Sequence, residues 1–461
     1  MANGGRAHLT PAGIGLPPGR VPAAHPDRVA IVSASVGAGH DGAAAELRRR
    51  LTAEGIAVDR YDLLDLLPAR LGRTARDAYH LMLDRAPWLY QRIYSSTESS
   101  GGGGRGARAL LRSAENRVLK ALHPGTGAVV STYPGASRVL GNLRLDGRLG
   151  VPVLTYLTDF SVHPLWVADG VDVHLAAHAV PAAQARAAGA GDVRVRGPVA
   201  GPRFRPCDPR ERLLARERFG LPATAPLALL VAGSWGVGPV RQVAEELRDC
   251  GAVVPVVVCG RNQALAARLR ADGIEHVHGW VDDMPALMHA ADVLVQNAGG
   301  LTTLEAFSAG LPVASYGCIP GHGLTNADAL DEAGVAVWIR HRTQLKDVLN
   351  DLVNGPLGAR QRAAGLALFA DSPDRGPAGE TLRVLRSRRS PVPTQPTGRR
   401  RLRARRLATT TTVACAVWAA AVATGVATSY EGPTLVHSLS RHLDLDLVSS
   451  VAGHGPEGHH S

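Results

Sequence analysis

Short apolar runs alternate with helix-length amphipathic segments along residues 28–385. In the first part of this stretch, the runs predict buried strands at 28–33, 127–132, 151–157 and 171–176. A second series predicts strands at 227–233, 253–258, 275–280, 292–297, 312–316 and 335–340. Strands that alternate with helices are typical of parallel sheets covered on both faces. The pattern therefore predicts an α/β protein with two doubly wound domains, residues 28–205 and 206–385.

Glycines stand where two strands of the second domain turn into helices. Gly299 and Gly300 follow the apolar run 291–296, and helical spacing starts at Thr302. The N-terminus of a helix offers free N–H groups and a partial positive charge, which suits a diphosphate. A second glycine-rich turn, residues 233–238, is expected to face the same cleft, because ligands in such folds bind beyond the carboxyl ends of the strands.

An acidic residue, Glu305, lies one turn into the helix that follows the glycine pair. An acidic residue binds ribose hydroxyls in dinucleotide folds, and Glu305 is placed for the same role. A second interpretation stays open, since a glycine pair with a solvent-facing Glu is also an ordinary helix start.

Two candidate bases follow strands of the first domain. Strand 28–33 leads into a small-residue loop that ends at His40, whose imidazole has a suitable pKa for proton abstraction near neutral pH. Asp159 follows strand 151–157 at its carboxyl end, where a catalytic carboxylate also fits. Structural roles are equally open: His40 as a cap, and Asp159 as a helix cap or the partner of a cation.

Four segments together resemble one family of enzymes: SASVGAGH at 33–40, STYP at 131–134, TDFSVHPLW at 158–166, and the block 279–326. They resemble the monogalactosyldiacylglycerol synthase and processive diacylglycerol glucosyltransferase family. The resemblance implies a GT-B fold, in which two Rossmann-like domains face a cleft. It also implies a UDP-sugar donor and a membrane lipid acceptor such as diacylglycerol. For the mechanism, we expect an inverting hexosyltransferase that acts by a single displacement and requires no metal. A more distant similarity to the peptidoglycan N-acetylglucosaminyltransferase leaves a UDP-N-acetylglucosamine donor and a polyprenyl or other acceptor as the alternative.

The resemblance also implies roles for individual residues. His40 or Asp159 is the expected base. The residues expected to bind the donor are Gly233, Ser234, Gly236, Gly238, Val281, Met284, Gly299, Gly300, Thr302, Glu305, His322 and Asn326. The residues expected to bind the acceptor are Gly39, Tyr133, Pro134, His163 and Trp166. No metal and no cofactor beyond the UDP-sugar co-substrate is expected.

The sequence departs from the family pattern at three places, one of which is a pair of residues. His322 and Gly323 replace a polar pair, so the carboxylate that contacts donor hydroxyls in the family is missing. Asn297 stands where a cation is usual, and Trp235 stands where the family has a small residue. The differences favour altered donor specificity. They leave open an inactive membrane-anchored protein that only binds a UDP-sugar.

An aromatic and apolar stretch lies between Tyr79 and Tyr94 and includes Leu81 and Trp88. Two interpretations are open for it: contact with a lipid headgroup layer, or a contribution to the core.

The net charge of +11 is concentrated near the C-terminus. Residues 383–406 hold ten arginines and no acid, so their removal leaves +1 for the rest of the chain. Residues 386–406 contain no aromatic residue that stacks on bases, so we interpret them as a basic linker and expect no nucleic acid partner.

An uncharged segment of 22 residues follows at 407–428. Its length is sufficient to span hydrocarbon about 30 Å thick as one helix. The preceding arginines predict attraction to anionic headgroups, cytoplasmic catalytic domains, and a short extracytoplasmic tail at 429–461. The protein is therefore expected to be a single-pass protein of the cell membrane, which disfavours a UDP-sugar epimerase of the same fold. Residues 1–27, rich in Gly, Pro and Ala, are expected to form a disordered leader.

Overall fold

The computed structural model describes residues 27–68, 71–99, 105–370 and 376–387. The predicted leader up to residue 26, the predicted linker beyond residue 387, the 407–428 segment and the tail lie outside these ranges. Among the helices within them, none is both long and apolar enough to cross a membrane.

The first domain is a six-stranded sheet with helices packed on both faces. Its elements are β1 (Arg28–Ser33), α1 (Ala38–Ala53), β2 (Ala57–Asp62), α2 (Leu71–Arg85), α3 (Pro87–Ser99), α4 (Arg105–Ala121), β3 (Ala128–Ser131), α5 (Pro134–Leu145), β4 (Val153–Tyr156), β5 (Val173–Ala176), α6 (Ala179–Ala187) and β6 (Val193–Val195). A short 3-10 helix, Pro164–Trp166, lies between β4 and β5. All strands are parallel, in the order β2-β1-β3-β4-β5-β6.

The four strands predicted for this domain are present, and β2 and β6 are additional. Strand β2 has no fully buried residue, and β6 is only three residues long. Neither therefore carries the continuous apolar run that marks a central parallel strand.

The second domain repeats the architecture. Its elements are α7 (Pro209–Arg218), β7 (Leu227–Val231), α8 (Val240–Asp249), β8 (Val254–Val258), α9 (Gln263–Ala271), β9 (His276–His278), α10 (Met284–Ala290), β10 (Val293–Gln296), α11 (Leu301–Ser308), β11 (Val313–Ser315), α12 (His322–Glu332), β12 (Val337–Trp338), α13 (Leu345–Asn354) and α14 (Pro356–Ala367). A 3-10 helix, Arg342–Gln344, precedes α13. The parallel strand order is β12-β11-β10-β7-β8-β9, and all six predicted strands are present with shorter bounds.

The last described helix, α15 (Pro377–Ser387), returns to the first domain. Its Leu382 and Leu385 join the buried cluster that contains Val29 of β1 and Leu47 of α1. The buried Glu380 pairs with arginines on and after β6 and so fixes the helix there. The predicted second domain, residues 206–385, therefore needs one change, because its last helix packs on the other sheet. An amphipathic pattern predicts a helix but does not say which sheet the helix covers.

Candidate active site

The carboxyl ends of both sheets open into one cavity of about 430 Å³. Strand order reverses between β1 and β3 in the first sheet and between β7 and β10 in the second. Ligands of open α/β sheets bind at such reversal points. The loop after β1 lines one side of the cavity, and the loops after β7 and β10 line the other. This confirms the predicted cleft between two doubly wound domains and makes it the candidate active site.

His40, in the first turn of α1, lines the cavity and is held from behind. Its Nδ1 lies 2.9 Å from the carbonyl oxygen of Thr132 and 2.9 Å from Oγ1 of Thr158. Because a carbonyl only accepts, Nδ1 carries the proton, and the neutral ring has its lone pair at Nε2. The ring thus presents a basic nitrogen and is fixed in one tautomer by main-chain and hydroxyl partners.

Asp159, the second candidate base, lines the same cavity. Its Oδ2 accepts a hydrogen bond from Nε1 of Trp166 at 3.1 Å. Trp166 is buried, and its ring also packs against His40 at a centroid distance of 6.0 Å. One aromatic residue therefore orients both candidate catalytic side chains.

Four residues expected at the acceptor do not line the cavity. Tyr133 meets the His40 ring edge-on at 5.3 Å, and Trp166 holds Asp159. Pro134 starts α5, and His163 caps the 3-10 helix by accepting the N–H of Leu165 at 3.1 Å. Tyr133 and Trp166 therefore support the wall of the cleft from behind, through His40 and Asp159. The fifth residue, Gly39, does line the cavity.

The loop after β10 is organised by Gln296, which the sequence analysis did not single out. Its Oε1 accepts the N–H of Ala298 at 2.7 Å and also that of Gly299. Gly299 adopts a φ of 71°, and a Cβ there would lie 2.5 Å from Cβ of Asn326. The amide of Gly299 is therefore committed to the loop, and the first amides of α11, from Gly300 to Thr302, are left for an anion.

The loop after β7 contains three glycines with left-handed backbone. Gly233, Gly236 and Gly238 have φ of 68°, 62° and 103°. A Cβ on Gly238 would lie 2.6 Å from Nδ2 of Asn297, which donates to the carbonyl of Val237 at 2.8 Å. Asn297, one of the departures from the family pattern, thus ties this loop to the loop after β10. Gly236 and Gly238 shape the loop, whereas Gly233 and Ser234 line the cavity.

Glu305 lies half-buried in the cavity wall, one turn inside α11. Burial raises the pKa of its carboxyl to about 8. The open cleft therefore holds this group neutral at pH 7, beside the helix end that suits a diphosphate. A carboxyl at this place is able to accept hydrogen bonds from ribose hydroxyls.

His322, the first residue of α12, lines the cavity from the second domain. A hydrogen bond of 2.9 Å joins its Nδ1 to the phenol oxygen of Tyr90, on α3 of the first domain. Burial lowers the pKa of His322, and the nearby carboxylate of Asp159 raises it in part. Gly323 has no room for a larger residue, since its Cβ would lie 2.6 Å from the carbonyl oxygen of Asn297.

Asn326 is fully buried and does not line the cavity, although it was expected to bind the donor. Its Nδ2 donates to the carbonyl of Ala298 at 2.8 Å. Its Oδ1 accepts the N–H and the hydroxyl of Ser161, at 2.7 and 2.9 Å, from the first domain. Asn326 therefore positions the phosphate-facing loop and joins the two domains.

Close helix packing brings the two sides of the cleft together. A Cβ on Gly42 of α1 would lie 2.3 Å from Cδ2 of Leu301, at the start of α11. Gly42 therefore allows α1 to approach α11, so that His40 faces the helix end that follows Gly300.

Aromatic residues of α2 and α3 pack against the second domain. Tyr79 and His80 meet Trp235 at centroid distances of 6.1 and 4.9 Å. Tyr79 also lines the cavity, whereas Leu81 and Trp88 are exposed, at 37% and 44%. The stretch is thus divided: Tyr79 forms part of the cleft wall, and Leu81 and Trp88 face outward.

Most of the predicted site residues line one cavity: Gly39, His40, Asp159, Gly233, Ser234, Val281, Met284, Gly299, Gly300, Thr302, Glu305 and His322. Further lining residues that the sequence analysis did not assign to the site include Tyr79, Leu83, Gln296 and Trp280. Tyr79 and Leu83 come from helices whose approach to the cleft depends on long-range packing, which local pattern does not encode.

The comparisons with known proteins agree with this geometry. Residues 236–354 match the family model of glycosyl transferases group 1, so the chain carries a glycosyltransferase domain. In fold, it is similar to Medicago truncatula UGT71G1, whose structure was solved with UDP-glucose: the TM-score is 0.50 at 13% identity, over 78% of this chain and 98% of that one. This likeness and the two facing sheets confirm the GT-B architecture.

The particular relatives confirm the resemblance seen in the sequence motifs. The chain is 30% identical over 211 residues to the processive diacylglycerol beta-glucosyltransferase of Bacillus pumilus, covering 43% of this chain and 54% of that protein. It is 28% identical over 218 residues to the Bacillus subtilis protein of the same name, covering 46% and 56%. The chain thus matches about half the length of these curated relatives.

Proposed function

We propose that this protein transfers a hexose from a UDP-sugar to a membrane lipid acceptor such as diacylglycerol, with inversion at the sugar. One observation carries the proposal: a histidine with its basic nitrogen presented to the cleft faces a glycine-initiated helix end across a single cavity. A base on one side and an anion site on the other are the two parts that a direct displacement needs.

The reaction we propose is one displacement. The acceptor hydroxyl gives its proton to Nε2 of His40 while its oxygen attacks C1 of the sugar. The bond from C1 to the β-phosphate oxygen breaks, and the electron pair leaves with UDP. The first amides of α11, beginning at Gly300, stabilise the negative charge that develops on the diphosphate.

Asp159 serves better as a partner of this base than as the base itself. Its oxygen already accepts from Trp166, whereas the Nδ1 bonds of His40 orient Nε2 for proton transfer. The carboxylate also faces His322 on the opposite domain, and so balances histidine charge in the cleft.

The nucleotide lies, in this proposal, along the second domain. Glu305 accepts from the ribose, Val281 and Met284 lie at the uracil end, and Ser234 lies beside the phosphates. At Gly323 the carboxylate that contacts donor hydroxyls in the family is missing, and the main chain of Asn297 fills the space of a side chain there. The identity of the donor sugar therefore stays open. A panel of donors is therefore required, and it includes UDP-N-acetylglucosamine.

The lipid acceptor is supported by the names of the curated relatives and by the apolar side of the cavity. Leu83 and Tyr79 of α2 line the cleft on the side of His40. Leu81 of the same helix and Trp88 of α3 are exposed. We also propose a single-pass cell-membrane location with cytoplasmic catalytic domains. Protease treatment of sealed inside-out vesicles tests it: residues 28–385 should be cleaved, and a C-terminal tag should be protected.

The experiment that tests the function uses detergent-solubilised full-length protein, diacylglycerol or total membrane lipid, and radiolabelled UDP-glucose, UDP-galactose or UDP-N-acetylglucosamine. We expect label in a chloroform-soluble product with one donor of the panel. A product with an inverted anomeric configuration supports the displacement. Absence of any lipid product, with UDP still bound, would instead indicate a binding protein or a different acceptor class.

A further inference from the structure

The cavity offers few candidates for a charge that would balance a bound diphosphate. Among the described residues that line the cavity, none is a lysine or an arginine. Only two of these lining side chains, His40 and His322, become cations by taking up a proton. His40 acts as the base in the proposed reaction and must be neutral before the transfer. This leaves His322 to meet the charge of the leaving group.

His322 is held in the cleft by a helix of the opposite domain. Tyr90 of α3 bonds its Nδ1 at 2.9 Å, and Gln91 of the same helix accepts the N–H of Gly321 at 2.5 Å. Gly321 has a φ of 69°, and its Cβ would lie 2.7 Å from the Tyr90 ring. Glycine at this position therefore allows α3 to fix the histidine at the N-terminus of α12.

We propose that His322 takes up a proton when the nucleotide diphosphate binds and, as an imidazolium, stabilises the leaving phosphate oxygen. The inference rests on the proposed function and adds a charged catalytic group to it. Bond changes are those of the displacement above: C1–O to UDP breaks, C1–O to the acceptor forms, and the acceptor proton stays on His40. His322 donates a hydrogen bond to the departing oxygen, so no second proton transfer is required.

The groups around His322 indicate in which direction its protonation changes when a diphosphate binds. Burial lowers the pKa of His322, Asp159 raises it and His40 lowers it. The phenol of Tyr90 is neutral, since burial raises the pKa of Tyr90 well above its usual value. The positive end of α12 also disfavours a cation. A bound diphosphate adds negative charge beside the ring, which favours the protonated form.

Proton uptake is measured directly by calorimetry of UDP binding to the full-length protein at pH 7, in buffers of different ionisation enthalpy. The wild-type protein should take up more protons than His322→Gln, because the protonation of UDP itself is common to both. His322→Gln should weaken UDP binding roughly 10- to 100-fold, as expected for loss of a hydrogen bond to a charged group. His322→Lys should keep most of the affinity without the extra uptake. His341→Gln, an exposed histidine of the same domain, is the matched control and should behave as the wild type.

Equal proton uptake and equal affinity for the wild type and His322→Gln would overturn the inference and leave the donor site intact. Weaker binding of a UDP-hexose, with UDP binding and uptake unchanged, would also overturn it, because the ring would then contact the sugar. Failure of the wild-type protein to bind UDP at all would reject the proposed function itself.

Discussion

Glu305 is a carboxyl group of the cavity wall whose charge depends on its burial. Burial raises its pKa to about 8, above the usual value of 4.5. The folded protein therefore binds the proton of the Glu305 carboxyl more tightly than the unfolded chain does. Its contribution to the free energy of unfolding is fully present below about pH 4.5 and is lost as the pH rises through about 8.

Glu305→Gln should remove this dependence on pH. We expect the melting temperature of the ligand-free variant to exceed that of the wild type by more at pH 8.5 than at pH 5. Glu211→Gln is a useful comparison on the same domain, since its exposed carboxyl has a lowered pKa, caused first by Arg205. A constant difference between wild type and Glu305→Gln at both pH values would show that the carboxyl is not buried as described.

Residue roles were predictable where local spacing sets the chemistry. Gly300 and Glu305 follow from a strand, a glycine pair and a helix in order, and the structure places both in the cavity. The structural roles of Gln296 and Asn326 did not follow, because their partners are loop amides and a serine of the other domain. Polar residues such as Gln296 are common at the end of a strand. Only the folded loop shows that the Oε1 of Gln296 accepts the amides of Ala298 and Gly299.

At the scale of elements, the contact between α1 and α11 sets the distance from the base to the donor site. Gly42→Val should displace the Leu301 side chain and push the two helices apart, because a Cβ would lie 2.3 Å from Cδ2 of Leu301 and the two valine methyl groups need further room. We expect the transfer rate to fall roughly 10- to 100-fold, as for a small misplacement of reacting groups, with a smaller loss of UDP affinity. Single-turnover kinetics and UDP titration separate the two effects.

The double variant Gly42→Val with Leu301→Ala provides the control for this contact. Removal of the Leu301 side chain restores space, so part of the rate should return. Gly191→Ala, with no atom within 4 Å of the added Cβ, should leave both quantities unchanged. If Gly42→Val transfers as fast as the wild type, helix approach does not control catalysis.

The return of α15 to the first domain depends on Glu380, which is 3% exposed. Arg196 donates to it at 2.8 Å, Arg383 donates at 2.7 Å, and Arg194 also pairs with it. Glu380→Gln should lower the free energy of unfolding by about 1.5–3 kcal/mol, the range for hydrogen bonds to charged groups. Urea unfolding measures the change, with Glu332→Gln on α12 as an exposed control. An unchanged midpoint would contradict the anchoring role.

The strand series was predictable because buried parallel strands are continuous apolar runs, as in β7 and β10. Strands β2 and β6 were missed since their residues are half-exposed or few. The position of α15, and the packing of Tyr79 and Tyr90 against the second domain, depend on which surfaces meet in space. Sequence periodicity identifies a buried face but not its partner.

For the whole molecule, the proposed transfer of the hexose requires no bound metal. Helix amides beginning at Gly300 face the diphosphate, and we assign His322 as the counter-charge. Product formation should therefore change less than twofold when EDTA is added. A loss of activity that Mg²⁺ or Mn²⁺ restores would show that the leaving group needs a cation from solution.

The single-turnover rate of lipid glycosylation by His40→Ala, measured with the donor that the panel identifies, tests directly whether His40 is the base. We expect the rate to fall about 10²- to 10⁴-fold, the usual contribution of a general base, with UDP affinity unchanged. The rate of Asp159→Asn should fall less. His123 is an exposed histidine of the first domain, and the rate of His123→Ala should match that of the wild type. A His40→Ala protein that transfers the hexose at the wild-type rate would contradict the account.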